Sequence, residues 1–272
     1  MSDSDTAALS SSPGGGHTHD RRLFALSDPH LSFLRPKPMD VFGSNWTDHA
    51  DRIAENWKRD VGENDIVLVP GDVSWAMRLS EARPDLEWLA ALPGRKVLIR
   101  GNHDYWWSSL KKMRDLELPG FHFIQNDHVL LDGIGIGGTR LWDFPGIHWG
   151  FVPNEEREDL PDAPAIKGQR SEDPEKIRTR ELERLGASLG SIPEGCRFRV
   201  AMLHFPPIGE DGAPTPITDL IDRFSIDLCV FGHIHGKTDR TRPGEDIVIG
   251  KTRYVLTSCD HLDFKPLLLG CF

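Results

Sequence analysis

Short apolar runs rich in Val, Ile, Leu and Phe alternate along the chain with stretches whose apolar positions recur at helical spacing. The runs at 22–27, 65–70, 96–100, 129–136, 199–204, 226–231 and 254–257 predict strands, since they are short and bounded by turn-forming residues. The intervening stretches at 46–59, 80–91, 108–116, 175–189 and 217–224 predict helices. In the first of these, Trp46, His49, Ala50, Ile53 and Trp57 fall on one helical face, which assigns those tryptophans to a core. Strand and helix alternating in this order predict an α/β protein with sheets covered by helices.

Two segments break the pattern. Residues 1–20 are rich in Ser and Gly and offer almost nothing to bury, so a disordered tail is expected. Residues 139–194 carry Pro, charge and the aromatics Trp142, Phe144, Trp149 and Phe151 ahead of a helix, an elaboration that either covers a site or packs on itself. The remainder, 21–272, reads as one domain, a common size for α/β chains.

Charge narrows the partners. With 32 Lys+Arg against 42 Asp+Glu, the formal net charge is -10. That balance disfavours nucleic acid, whose binders carry a basic face. No apolar run approaches the ~20 residues that span a bilayer, and the N-terminus lacks an apolar leader segment, so a cytoplasmic protein without membrane insertion is expected. The cysteines at 196, 229, 259 and 271 form no CxxC pair, which argues against a thiolate zinc site and a disulfide framework.

Five segments share one design, an apolar strand running into a sharp turn that bears a metal-ligand residue. They are Leu26-Ser27-Asp28-Pro29-His30, Pro70-Gly71-Asp72, Arg100-Gly101-Asn102-His103-Asp104, Leu203-His204-Phe205-Pro206-Pro207 and Phe231-Gly232-His233-Ile234-His235. Functional groups collect beyond the carboxyl ends of parallel strands, where all five fall. Residues i and i+2 of an extended segment point the same way, so Asp28/His30 and His233/His235 can each present two ligands to one place. Imidazole, carboxylate and amide oxygen together suit Mn, Fe, Zn or Ni. Two such ions against the charges of Asp28 and Asp72 leave a cavity of about +2, an anion trap suited to a phosphate ester; a shared Asp72 is a natural bridge.

In order, the motifs D-x-H, GD, GNHD, H and GHxH resemble those of the calcineurin-like metallophosphoesterase family, from Asp28 to His235. Among its branches, the chain most resembles bacterial predicted phosphohydrolases carrying GNHDYWW and a GHIHG-type ending. The resemblance implies a four-layer αββα sandwich of two mixed sheets with a dinuclear centre between them. It implies that Asp28, His30, Asp72 and His235 hold one metal, and Asp72, Asn102, His204 and His233 the other. It further implies that His103 is a catalytic, non-ligating histidine acting on the leaving oxygen, with Asp104 orienting its ring. The expected activity is hydrolysis of small-molecule phosphoesters. A phosphodiesterase acting on cyclic nucleotides or nucleotide-linked diesters is the alternative suggested by His204-Phe205-Pro206-Pro207, and a noncatalytic binding scaffold is the alternative of another class.

Three further features stay open at this stage. Tyr105-Trp106-Trp107 either stacks on a flat substrate or packs at a helix start. Arg140, after Gly137-Gly138-Thr139, either grips phosphate or makes a surface salt bridge. Asp260, in Ser258-Cys259-Asp260-His261, either supports the metal shell or belongs to a plain turn.

Overall fold

The computed structural model describes residues 21–149, 173–209, 211–236 and 247–272. The expected tail, 1–20, lies outside them. The first sheet contains β1 (Arg22–Ala25), β2 (Ile66–Val69), β3 (Arg95–Leu98), β4 (Phe121–Phe123) and β11 (Leu267–Cys271), in the order β11-β1-β2-β3-β4. The second contains β5 (His128–Leu131), β6 (Ile134–Thr139), β7 (Phe198–Leu203), β8 (Leu228–Phe231), β9 (Ile247–Ile249) and β10 (Thr252–Leu256), in the order β5-β6-β7-β8-β10-β9. Each is mixed: parallel through its middle, with β11, β5 and β9 antiparallel at the edges.

Alternation along each strand explains why two sheets face each other. Leu23, Ala25, Ile66, Leu68 and Val97 meet Ile136, Val200, Met202, Leu228 and Val230 in a core between the sheets. The opposite faces are apolar too. Phe24, Val67, Val69 and Leu98 pack beneath Ile53, Trp57, Leu86, Leu89 and Met113. These come from α1 (His49–Asp60), α2 (Leu79–Ala90) and α3 (Leu110–Arg114). On the far side, Ala201, Leu203, Cys229 and Phe231 pack with Leu185, Leu189, Ile217 and Ile221, supplied by α4 (Pro174–Ser191) and α5 (Pro216–Arg223). The result is the expected αββα sandwich. Strands apolar on both faces are what parallel strands covered on both sides require.

Several elements depart from the sequence expectation. The single strand expected over 129–136 is a hairpin, β5 to β6, broken at Asp132 and Gly133. Both have positive φ (52° and 83°), the backbone of a tight two-residue Asp-Gly turn. The strands β4 and β9 are three residues each, too short to stand out as runs, and β11, an apolar run at the chain's end, is a strand the sequence expectation lacks. Of the 139–194 elaboration, residues 150–172 lie outside the described residues. Trp142, Phe144, Ile147 and Trp149 pack against the outer core of the second sheet. Helix α4 lies on β6 and belongs to the helical layer. Gly137 makes that approach possible, since a Cβ there would sit 3.1 Å from Ser188 Oγ and 3.2 Å from Ile192 Cδ1. Pro174 at the first turn and the Asp173 carboxylate, which accepts from Glu175 N at 3.1 Å, set where α4 starts. Trp106 and Trp107 are buried in the core, so the packing alternative describes those two; Tyr105 is half-buried and meets the His103 ring edge-on, centroids 6.1 Å apart.

The sheets join at one end. Ser27, just past β1, bridges Ser258, just past β10, in parallel register. Ser27 N donates to Thr257 O at 2.7 Å and Cys259 N to Ser27 O at 2.9 Å. This seam draws the carboxyl ends of both sheets to one place.

Candidate metal centre

The turn after β1 lies along the turn after β2. Asp28 N donates to Gly71 O (3.1 Å), His30 N to Asp72 O (3.1 Å) and Leu31 N to Val73 O (2.9 Å). The turns after β7 and β8 are likewise tied, Gly232 N donating to His204 O at 3.2 Å. Gly71, at φ 93°, tolerates no side chain, because a Cβ would lie 2.6 Å from Gly101 N and 2.9 Å from His204 Nδ1.

These ties hold an uncommon backbone. Asp28 (φ 57°), His30 (φ 46°), Asp72 (φ 51°) and His233 (φ 71°) all occupy the left-handed region. Each such residue costs roughly 1–3 kcal/mol, and such strain collects at functional sites. Four strained residues at four of the seven expected ligand positions mark a place shaped for binding rather than for stability.

The structure brings all seven expected ligand residues together, linked by donor-atom separations of 2.5 to 4.0 Å. On one side, His30 Nε2 lies 3.2 Å from His235 Nε2, and His235 Nε2 lies 4.0 Å from Asp28 Oδ1. On the other, Asn102 Oδ1 lies 2.5 Å from His204 Nε2 and 2.9 Å from His233 Nδ1. Asp72 Oδ2 faces both, 3.9 Å from His30 Nε2 and 3.5 Å from His204 Nε2. Two groupings have the spacing of a metal site, Asp28 with His30 and His235, and Asp28 with Asp72 and His204.

The donor chemistry fits cations. His204 Nδ1 donates to Pro70 O at 2.9 Å, so its lone pair sits on Nε2 and faces the oxygens of Asn102 and Asp72. Acceptors crowded against acceptors repel unless a cation lies among them. The carboxylates agree. Burial pushes Asp28 up to about 6, although the His235 charge and a hydrogen bond from Ser27 pull it down. Burial, with the charges of Asp28 and Asp104, holds Asp72 well above the usual carboxylate range. Among the described residues, neither forms an ion pair with a lysine or arginine. Burial keeps His30 and His204 well below the ordinary imidazole value, and puts His233 at about 3, so these rings are neutral, as a metal ligand must be.

Supporting contacts fix the ligands. Asp28 Oδ2 accepts from Ser27 Oγ (2.5 Å) and Ser258 Oγ (3.1 Å), and His233 N donates to both oxygens (3.2 Å to Oδ1, 3.1 Å to Oδ2), so Oδ1 is the less engaged oxygen toward the site. Asp260 Oδ1 lies 3.0 Å from His235 Nδ1, and Oδ2 accepts from Gly236 N at 2.7 Å. Burial would raise this carboxyl, but the His235 charge and these hydrogen bonds outweigh it and hold it below its ordinary value. A carboxylate behind a ligating histidine fixes its tautomer and raises its basicity. Asp260 is therefore more than a plain turn residue, since it lies directly behind His235. Trp75, which no sequence pattern marks, stacks on the His30 ring (centroids 4.8 Å, 19° between planes) and packs on His103 at 4.3 Å. Trp46 packs on His30 and His235, so this core tryptophan is also a wall of the site.

His103 borders the ligands. Its backbone N donates to Asp72 Oδ1 at 2.8 Å, and burial with the Lys37 charge lowers its ring to about 4. The expected orienting bond from Asp104 is not made, since His103 Nδ1 has no partner. Asp104 is fully buried and turned to the backbone instead. Oδ2 accepts from Asp72 N (2.9 Å) and Gly101 N (2.8 Å). Oδ1 accepts from Val73 N (2.9 Å), Ser74 N (3.2 Å) and Trp106 Nε1 (2.9 Å). Four backbone N–H groups converging on one carboxylate explain why the aspartate points away from the histidine: it clamps the turn after β2 to the turn after β3.

Asp and His donors thus cluster at the strand ends of a two-sheet sandwich. The family profile for calcineurin-like phosphoesterases matches residues 21–237, and the chain belongs to that family. The Gene 66 protein of Mycobacterium phage D29 is 44% identical over 57 residues, 21% of this chain and 28% of the phage protein. An uncharacterized protein of Methanocaldococcus jannaschii is 30% identical over 105 residues, 38% of this chain and 57% of that one. Each match spans less than two thirds of the relative's own length. Among solved structures, phosphopantetheinyl hydrolase (PptH) from Mycobacterium tuberculosis aligns over 86% of this chain and 88% of its own, at 16% identity and a TM-score of 0.48.

Proposed function

We propose that the chain is a dinuclear metal-dependent phosphohydrolase cleaving small-molecule phosphate esters. Asp28, His30, Asp72 and His235 hold one ion, and Asp72, Asn102, His204 and His233 hold the other. Asp72 is taken as the shared residue, its Oδ2 facing both sides; Asp28, common to both groupings, offers Oδ1 while its Oδ2 binds Ser27 and Ser258. The set of oxygen and imidazole donors suits Mn, Fe, Zn or Ni. Bound there, two such ions supply Lewis acidity toward a phosphoryl group and an activated water.

The protein's own groups do the rest. His103, neutral at pH 7 with its ring at about 4, offers an N–H to the leaving oxygen. Trp75 and Trp46 hold the ligand rings in place and keep bulk water from their faces. Asp260 orients His235, and Asp104 acts as a positioning residue that sets Asp72 beside Asn102.

The observation that carries this reading is the convergence of seven donor side chains, four of them on strained backbone, whose two carboxylates form no ion pair with a lysine or arginine among the described residues. The test is reconstitution with Mn, Fe, Zn or Ni followed by assay of p-nitrophenyl phosphate and bis(p-nitrophenyl) phosphate. Turnover that requires metal and is lost in Asp72→Asn supports the proposal. Absence of turnover of either ester with all four metals overturns it.

A further inference from the structure

Beside the ligand cluster lies a second feature that metal binding does not use. A small, partly open pocket lies past the carboxyl ends of β3, β4 and β6, with α4 along one side. Its lining includes Arg100, Arg140, Arg184, Thr139, Gln125 and Glu181, three guanidiniums against one carboxylate. Glu181 is already engaged, by Thr139 Oγ1 at 3.0 Å and Arg184 Nη1 at 2.6 Å. Arg100 and Arg140 are different. Among the described residues, neither guanidinium has a hydrogen bond or an ion pair, and Arg100 Nε is buried with no partner at all. Arg140 is half-buried, its only side-chain contact of this kind being the face of Trp142, 4.9 Å from ring centroid to Cζ. The surface salt bridge that the sequence left open for Arg140 is not formed.

The pocket adjoins the metal cluster through the chain and through its field. Arg100 stands two residues before Asn102, and Arg140 O accepts from Phe205 N (3.0 Å), next to His204. The Arg140 charge reaches both Asp72 and His204. Holding guanidiniums together half-buried and unpaired is unfavourable, and a planar guanidinium matches an oxyanion with two parallel N–H bonds. We propose that this pocket binds a second oxyanion of the substrate, so that the preferred ester carries two anionic groups, one at the metals and a phosphate or carboxylate on Arg100 and Arg140. The proposal rests on the phosphohydrolase reading for the first anion and adds a specificity site that the metal-ligand motifs do not encode.

The test has a binding arm and a turnover arm. In the first, inorganic diphosphate is titrated calorimetrically into metal-free protein in EDTA, with Arg100→Gln, Arg140→Gln and, as a control, the exposed Arg83→Gln. Binding weakened at least tenfold by the two pocket variants and unchanged by Arg83→Gln is expected. No binding to the wild type, or equal binding to all variants, overturns the proposal. In the second arm, Mn-loaded enzyme is given alkanediol bisphosphates, ω-carboxyalkyl phosphates and simple alkyl phosphates of matched length. The doubly anionic esters should have kcat/KM at least tenfold above the alkyl phosphates, and each pocket variant should shrink that ratio tenfold. The better doubly anionic series identifies the second group as phosphate or carboxylate. A ratio near one, or one the variants leave intact, overturns the proposal. Should the phosphohydrolase reading fail instead, all esters stay intact while diphosphate binding and its arginine dependence persist.

Discussion

Asp104 gives the sharpest mutational test, because two accounts of it diverge. Its carboxylate accepts from the backbone N–H of Asp72, Gly101, Val73 and Ser74 and from the Trp106 indole, and it is fully buried. In Asp104→Ala, five buried donors lose their acceptor; at a lower bound of about 1 kcal/mol each the loss is about 5 kcal/mol. That approaches the whole stability of many domains, about 5–15 kcal/mol, so this variant serves only as a limit. Asp104→Asn is the informative change. Its amide keeps one oxygen, and the least costly orientation turns the NH2 toward Asp72 N and Gly101 N, where donor meets donor. Two orphaned donors predict a loss of about 2–4 kcal/mol, read as a drop in the urea midpoint at unchanged m-value. Metal affinity should fall too, as Asp72 is no longer pinned beside Asn102. A stability change under about 0.5 kcal/mol with a large fall in kcat would refute the clamp and restore the ring-orienting role.

Other expectations follow from the same geometry. His103→Ala should lower kcat by about 10²–10³-fold at unchanged metal content, checked by steady-state kinetics beside elemental analysis. Asp260→Ala should weaken metal binding about 10–100-fold, since His235 loses the carboxylate that fixes its tautomer; titration with Mn measures it. Asp28 is raised to about 6 in the metal-free protein, so below pH 6 a metal must displace its proton. Apparent affinity should therefore fall as the pH drops through 6, with Asp72, held well above the usual carboxylate range, acting in the same direction. His30, His204 and His233, held neutral well below 6.5, add nothing to that slope. Calorimetry in buffers of different ionisation enthalpy reads the released protons directly.

How much of the molecule is legible in its sequence depends on whether the signal is local. Asp28, His30, Asp72, Asn102, His204, His233 and His235 each follow an apolar run at a turn, and that pattern is carried within a few residues of chain. The two-sided apolar strands that stack the sheets are equally local. Asp104 stands out in the sequence, but its role does not. Adjacency to His103 suggests a pair, whereas the four N–H groups that claim its carboxylate come from turns up to 32 residues away. Asp260 sits in a sequence indistinguishable from an ordinary strand end until β10 is paired with β8 and brought against the turn after β8. Trp75 follows a ligand turn and is neither charged nor periodic, so only its stacking on His30 exposes its part. The Asp132-Gly133 turn is visible in principle, but the apolar residues on either side of it merge into one run. Nor does sequence spacing show that Arg100 and Arg140, from opposite sheets, share a pocket.

The central claim is that these seven side chains hold two cations. Metal-depleted protein loaded with excess Mn and then freed of unbound ions should contain two equivalents per chain by mass spectrometry of the elements. Asp72→Asn, which strips charge from the residue facing both sides, should retain one or none. A wild-type protein that keeps no metal under loading, or an Asp72→Asn protein that keeps the full two, would contradict the account.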